Sequence, residues 1–149
     1  MGIDPGDARI GVAACDRSGL IATPLETVAR GEGDLARLAA LIAEHDPIEI
    51  VVGLPVSMNG TEGLAAAKVR QFAGELAAVV PVVVRLVDER LTTVSAHAAL
   101  QQAGRRSKNR RSVVDQVAAV VLLQHALDTE RASGRAPGEV LSATQEGLS

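Results

Sequence analysis

The chain opens with short apolar runs broken by turn residues and only later settles into longer periodic segments. Ile3-Asp4 ends almost at once, at Pro5-Gly6-Asp7. Ile10 to Cys15 is a second apolar run, residues 16–19 are turn chemistry, and Leu20 to Val28 reads as a third strand. Together these predict a three-strand meander. Residues 34–46 then switch to a helical period, with Leu35, Leu38, Ala39, Leu41 and Ile42 on one face and Pro47 as the stop. Ile48 to Val52 is continuously apolar, as in a buried parallel strand, and halts at Gly53-Leu54-Pro55. Asn59-Gly60 marks a turn, and Thr61 is a cap for a helix to about Val80. Its apolar stripe is Ala65, Val69, Phe72, Leu76 and Val79.

Val82 to Val87 predicts a fifth strand, and Thr92 or Thr93 caps a helix to about Ala103. Ser112 caps a last helix from Val113 to about Arg131. A meander followed by strand–helix–strand crossovers makes an α/β fold, here a five-stranded mixed sheet with helices on both faces. At 149 residues the chain is one domain by length, enough to bury roughly two-thirds of its unfolded surface. Residues 1–132 are read as that domain, and residues 133–149 as a flexible polar C-terminal tail.

In such sheets the working residues lie at the carboxyl ends of strands. Asp4 ends the first strand and Asp88-Glu89-Arg90 follows the fifth, while Asp115 opens the last helix. Each acid has a plain structural explanation. Asp4 suits a turn, Asp88 to Arg90 suit surface ion pairs, and Ser112-x-x-Asp115 suits a capping box. Those explanations weaken together. Asp115 shares a helix face with Ala118, Ala119 and Leu122, which are small or apolar and aim the acid toward the sheet. A buried acid needs a cation, and no Lys or Arg obviously shares that face. If the strand-end acids meet it, the natural partner is Mg²⁺ or Mn²⁺, which favour hard oxygen ligands. Two such ions roughly 4 Å apart support phosphodiester cleavage.

Composition narrows the field further. A single cysteine, Cys15, excludes an internal disulfide and a cysteine zinc site, and its apolar run suggests a packing role. His45, His97 and His125 fall in separate helices without ligand spacing. Walker A, G-x-S-x-G, H-E-x-x-H and G-x-G-x-x-G motifs are absent. A net charge of −3 argues against a general nucleic-acid binder, but residues 104–112 concentrate Arg105, Arg106, Lys108, Arg110 and Arg111. Phe72 is the only aromatic residue, so contact with nucleic acid would run through phosphates and shape rather than base stacking. No apolar run approaches the roughly 20 residues of a membrane helix, and no signal-like segment begins the chain. The expectation is a cytoplasmic protein without a membrane partner.

Five motifs carry a family resemblance. They are Gly2-Ile3-Asp4-x-Gly6-x-x-Arg9-Ile10-Gly11-Val12-Ala13, Val51-Val52-Gly53-Leu54-Pro55, Asn59-Gly60-Thr61-Glu62, Asp88-Glu89-Arg90-Leu91-Thr92-Thr93 and Val114-Asp115-x-x-Ala118-Ala119. In this order, over residues 2 to about 127, the chain resembles the YqgF/RuvX family of the RNase H-like superfamily. The family is assigned to Holliday-junction resolution and to maturation of the 5′ end of pre-16S ribosomal RNA. The resemblance implies an RNase H-like fold and a metal-dependent endonuclease. Asp4, Asp88, Glu89 and Asp115 match its catalytic acids, and Asp4, Glu89 and Asp115 are the expected ligands of two Mg²⁺ or Mn²⁺ ions. Glu89 is preferred to Asp88, although spacing leaves both open, since one residue reverses the face of a strand side chain. Arg90, Arg105, Arg106, Lys108, Arg110 and Arg111 would hold phosphates. Pro55, Asn59 and Thr61 belong to the loop expected to border the groove. Two departures stand out: Pro5 and Asp7 replace more usual first-turn residues, and the family's apolar residues ahead of Ile3 imply a start upstream of Met1.

The implied partners are a ribosomal RNA precursor or branched DNA, with the ribosome as a further candidate, and the protein acting as a monomer or homodimer. The competing reading is a non-catalytic nucleic-acid-binding or ribosome-associated module. A sugar-kinase-like ATPase is disfavoured, because that chemistry closes two such domains over ATP and this length supplies one.

Overall fold

The computed structural model of the protein describes residues 1–92 and 110–141, with their side chains except those of 91, 92 and 110–115. Strands β1 (Gly2–Pro5), β2 (Arg9–Cys15) and β3 (Ala22–Ala29) form the expected antiparallel meander. Pro24 is accommodated because β3 is an edge strand, where a missing backbone N–H breaks no ladder. Helix α1 (Asp34–His45) returns the chain to β4 (Glu49–Leu54), which pairs parallel to β1. Helix α2 (Leu64–Val79) crosses to β5 (Val83–Asp88), parallel to β4. A short 3-10 helix (Glu89–Thr92) follows, and α3 (Arg110–Ser133) precedes β6 (Glu139–Leu141). The sheet order is β3-β2-β1-β4-β5-β6.

The sheet therefore has six strands rather than five. Glu139-Val140-Leu141, in the segment read as tail, runs antiparallel to β5. Gly138 makes this approach feasible: its φ is +92°, and a Cβ there would collide with the Leu86 carbonyl. Arg70 on α2 holds the new edge by pairing with Glu139 and with Glu62.

Two apolar layers flank the sheet. On one face α1 and α2 bury Leu38, Leu41, Ile42, Phe72 and Leu76 against Ile3, Ile50, Val52, Val84 and Leu86. On the other, α3 buries Ala119, Leu122, Leu123 and Ala126 against Ala13, Ala22, Val51 and Val87. Contact there is close. A Cβ on Gly2 would lie 2.8 Å from Leu123 Cβ and 3.0 Å from the Ala119 carbonyl, so only glycine lets α3 rest on β1.

Several local expectations shift. Helix α2 begins at Leu64 without a side-chain cap, and Thr61 belongs to the preceding turn, its N–H bonded to Asn59. The buried stripe of α2 is Ala66, Val69, Phe72, Ala73, Leu76 and Ala77, whose alanines allow close seating, while Ala65 and Val79 face outward. Helix α3 starts at Arg110, so Ser112 lies inside it rather than capping it. Ile48 is 91% exposed ahead of β4, and Cys15, at the outer end of β2, is exposed rather than packed. The helix expected from Thr92 or Thr93 to Ala103, His97, and the cations Arg105, Arg106 and Lys108 lie outside the described residues. No described helix is long and apolar enough to cross a membrane.

Candidate active site

Strand pleating decides which acids share a face. Asp4 lies two residues beyond Gly2, which sits under Leu123 of α3. Side chains two apart on a strand share a side, so Asp4 belongs to the α3 face. Cross-strand partners repeat the result: Asp4 pairs with Gly11 and Gly11 with Thr27. The Thr27 hydroxyl accepts a hydrogen bond from Gln116 Nε2 of α3 at 2.9 Å. On β5, Val87 packs under α3 whereas Leu86 packs toward α1 and α2. Glu89 continues the parity of Val87, and Asp88 that of Leu86.

The side chains follow this division. Glu89 turns over β4 at Gly53, where an added Cβ would strike its Oε1 and lie 3.0 Å from its Cδ. In its neutral form it donates a hydrogen bond to the Asp4 carboxylate. Burial pushes the Glu89 carboxyl up to about 9, reinforced by the hydrogen bond to Asp4 and by the charges of Asp4 and Asp88.

Asp88 is engaged elsewhere. It pairs with the Arg90 guanidinium at 2.6 Å, and its Oδ1 accepts from the Arg90 backbone N–H at 2.9 Å. The Arg90 hydrogen bonds hold its carboxyl below the usual range. The Nη1 of Arg90 also donates to the carbonyls of Ser57 and Met58 at 3.4 Å each. Arg90 thus ties the end of β5 to the 55–63 loop. That loop closes on itself: Gly60 N–H donates to Ser57 O at 2.8 Å and Ser57 N–H to Thr61 O at 3.0 Å. Pro55 lines the adjoining groove, whereas Asn59 and Thr61 build the turn.

The groove holds about 570 Å³ and runs from Asp4 and Glu89, past the Pro5-Gly6-Asp7 turn, to the outer side of α2. Asp115 lies on α3 four and seven residues before the buried Ala119 and Leu122. Its helix runs over the sheet row containing Asp4, because Gln116 bonds Thr27 in that row. The side chains of Asp115, Arg110 and Arg111 lie outside those described.

Asp4 and Glu89 fit a divalent cation of the magnesium type. Both offer hard oxygen donors, and a neighbouring 2+ charge would offset the burial and the repulsion that otherwise keep a proton on Glu89. Among the described residues no group of three His, Cys, Asp or Glu side chains forms a complete metal cage. The pair would supply two protein ligands, with Asp115 as the candidate third. Sequence reasoning missed the part played by Gly53. An apolar run continuing through a glycine, as Val51-Val52-Gly53-Leu54 does, is the signal of such a close approach.

A mixed sheet with an antiparallel meander, two parallel strands, helices on both faces and carboxylates at the carboxyl ends defines the RNase H-like class. The fold matches that of Thermus thermophilus RuvC in complex with a Holliday junction substrate: TM-score 0.52 at 20% identity, covering 94% of this chain and 97% of that one. The chain belongs to the RuvX Holliday junction resolvase family, whose model matches residues 1–129. A Nocardioides relative named "Putative pre-16S rRNA nuclease" is 63% identical over 150 residues, covering 97% of this chain and 96% of its own length. A relative with the same name from Streptomyces coelicolor is 58% identical over 142 residues, covering 93% and 85%.

Proposed function

We propose that this protein is a divalent-metal-dependent endonuclease cleaving phosphodiester bonds in structured nucleic acid. The observation that carries the reading is the meeting of the half-buried Asp4 and Glu89 in one groove, at the carboxyl ends of β1 and β5. Family membership and the relatives' names agree with it, and they direct the substrate toward pre-16S ribosomal RNA, Holliday junctions or both.

Asp4 and Glu89 would hold Mg²⁺ or Mn²⁺, with Asp115 as third ligand, and a bound pair of ions would activate water and stabilise the leaving oxygen. The chain's own contribution is orientation. Gly53 makes room for the Glu89 carboxylate, while Arg90 keeps Asp88 occupied and fixes the loop beside the groove. Asp88 is therefore a positioning residue, and Glu89 the better ligand. Arg90, first expected on phosphates, has its nitrogens committed to Asp88 and to loop carbonyls. Phosphate binding by Arg105, Arg106, Lys108, Arg110 and Arg111 remains part of the proposal.

The test compares wild type and Asp4→Asn on a precursor ribosomal RNA and on a four-way DNA junction, with Mg²⁺ or Mn²⁺ and mapped product ends. Loss of cleavage in the variant is expected; cleavage at the wild-type rate would overturn the assignment. A non-catalytic module would bind both substrates and cut neither.

A further inference from the structure

The groove beside the acidic pair has a second wall, whose residues have no part in the metal site. Its cations are Arg30, just after β3, and Lys68, in the second turn of α2. We propose that Arg30 and Lys68 bind phosphates of the substrate strand as it leaves the cleavage site along α2. The inference rests on the nuclease reading above only for which strand enters the groove.

Arg30 is held in place at the groove. Its Nη1 donates to the Gly6 carbonyl at 3.1 Å, its Nε lies 3.4 Å from Asp34, and its Cζ stands 5.0 Å over the Phe72 ring. These contacts engage two of its three nitrogens, and a guanidinium carries five N–H donors, so donors remain for an oxyanion. Its side chain is 32% exposed. A pre-positioned, partly exposed guanidinium suits phosphate recognition, because little further ordering is needed on binding.

Lys68 complements it. It is exposed and makes no hydrogen bond or ion pair among the described residues, so packing does not explain it. The other charged residues facing the groove are Asp4, Asp7, Glu75 and Glu89, all acids. A phosphodiester backbone would therefore meet favourable charge on this wall at Arg30 and Lys68. Among the described residues the groove offers no exposed aromatic platform for bases. Phe72, its only aromatic residue, is 4% exposed and lies beneath Arg30, so it is closed to stacking. Binding on this wall therefore does not use base stacking.

The experiment measures binding of a fluorescein-labelled four-way DNA junction and a stem-loop RNA across a salt titration, with steady-state cleavage on both. Lys68→Gln should lower the slope of log K against log salt by about 0.7–0.9, one phosphate contact, and weaken binding about 5–8-fold near 0.1 M salt. Lys68→Arg should restore both. Arg30→Met should lower the slope similarly, and Arg30→Lys should recover part of it. Losses in kcat/KM should fall on KM, with the metal concentration for half-maximal rate unmoved. Wild-type slopes in both Lys68→Gln and Arg30→Met would overturn the proposal, as would a loss confined to kcat. If Asp4→Asn still cuts while the slopes fall as stated, the assignment of cleavage to the Asp4 site fails and the phosphate site stands. Loss of cutting with unchanged slopes gives the reverse.

Discussion

Folding changes the environment of Glu89 strongly. Burial, with Asp4 beside it, pushes its carboxyl up to about 9 from an ordinary value of 4.5. Between those values the folded state holds a proton that the unfolded state has released, so stability falls as pH rises through that window. The slope is at most ~1.4 kcal/mol per pH unit for one group. Urea melts of metal-free protein from pH 5 to 9 should show this decline. Glu89→Gln should flatten it and raise Tm at pH 8.5, by about 2–4 °C for each kcal/mol relieved, while abolishing cleavage. A wild-type pH profile in the variant would remove Glu89 as its source. Gly53 yields a second residue-scale prediction. Gly53→Ala places a methyl where the Glu89 carboxylate lies and should displace that group. Misplacement by about 1 Å can cost on the order of 10²-fold in rate. The expected result is a large kcat loss and a higher Mg²⁺ requirement with a cooperative melt retained; full activity would contradict the geometry.

At the scale of elements, the site depends on how closely α3 seats on the sheet. Gly2, Ala13 and Ala119 are small where helix and sheet touch, which brings the helix carrying Asp115 over the row of Asp4. Gly2→Ala should separate them and destabilise the fold by about 1–3 kcal/mol, read by denaturant melts. A change below about 0.5 kcal/mol would mean that the helix shifts freely. Some element boundaries were legible in the sequence and others were not. The meander, α1 and the parallel strands could be read from apolar period and turn residues such as Pro5-Gly6 and Asp16 to Gly19. Strand β6 could not, because three residues carry no period and pair only through the β5 edge. Thr61 looks like a helix cap but builds a turn, since a cap residue is equally suited to one, and Ser112 lies inside α3.

At the scale of the molecule, a chain of net charge −3 must meet a polyanion through local cationic surface. Changing Arg105, Arg106, Lys108, Arg110 and Arg111 to Gln takes the net charge from −3 to −8. Affinity for nucleic acid should then fall steeply and the salt slope flatten by several units, with Mg²⁺ dependence of residual cleavage retained. An unchanged slope would return those residues to the role of a solvated segment.

The sequence by itself determined the class: a meander followed by crossovers, acids at strand ends and on the last helix, and too few aromatics for base stacking. Those are local properties of period, turn chemistry and residue type. Tertiary structure decided which acid joins Asp4, what Arg90 does, and that Arg30 and Lys68 line one groove with the two acids. Each depends on residues far apart in the chain meeting on one face of the sheet. A single strand's spacing leaves Asp88 and Glu89 equivalent until Gly53 and α3 distinguish the two faces.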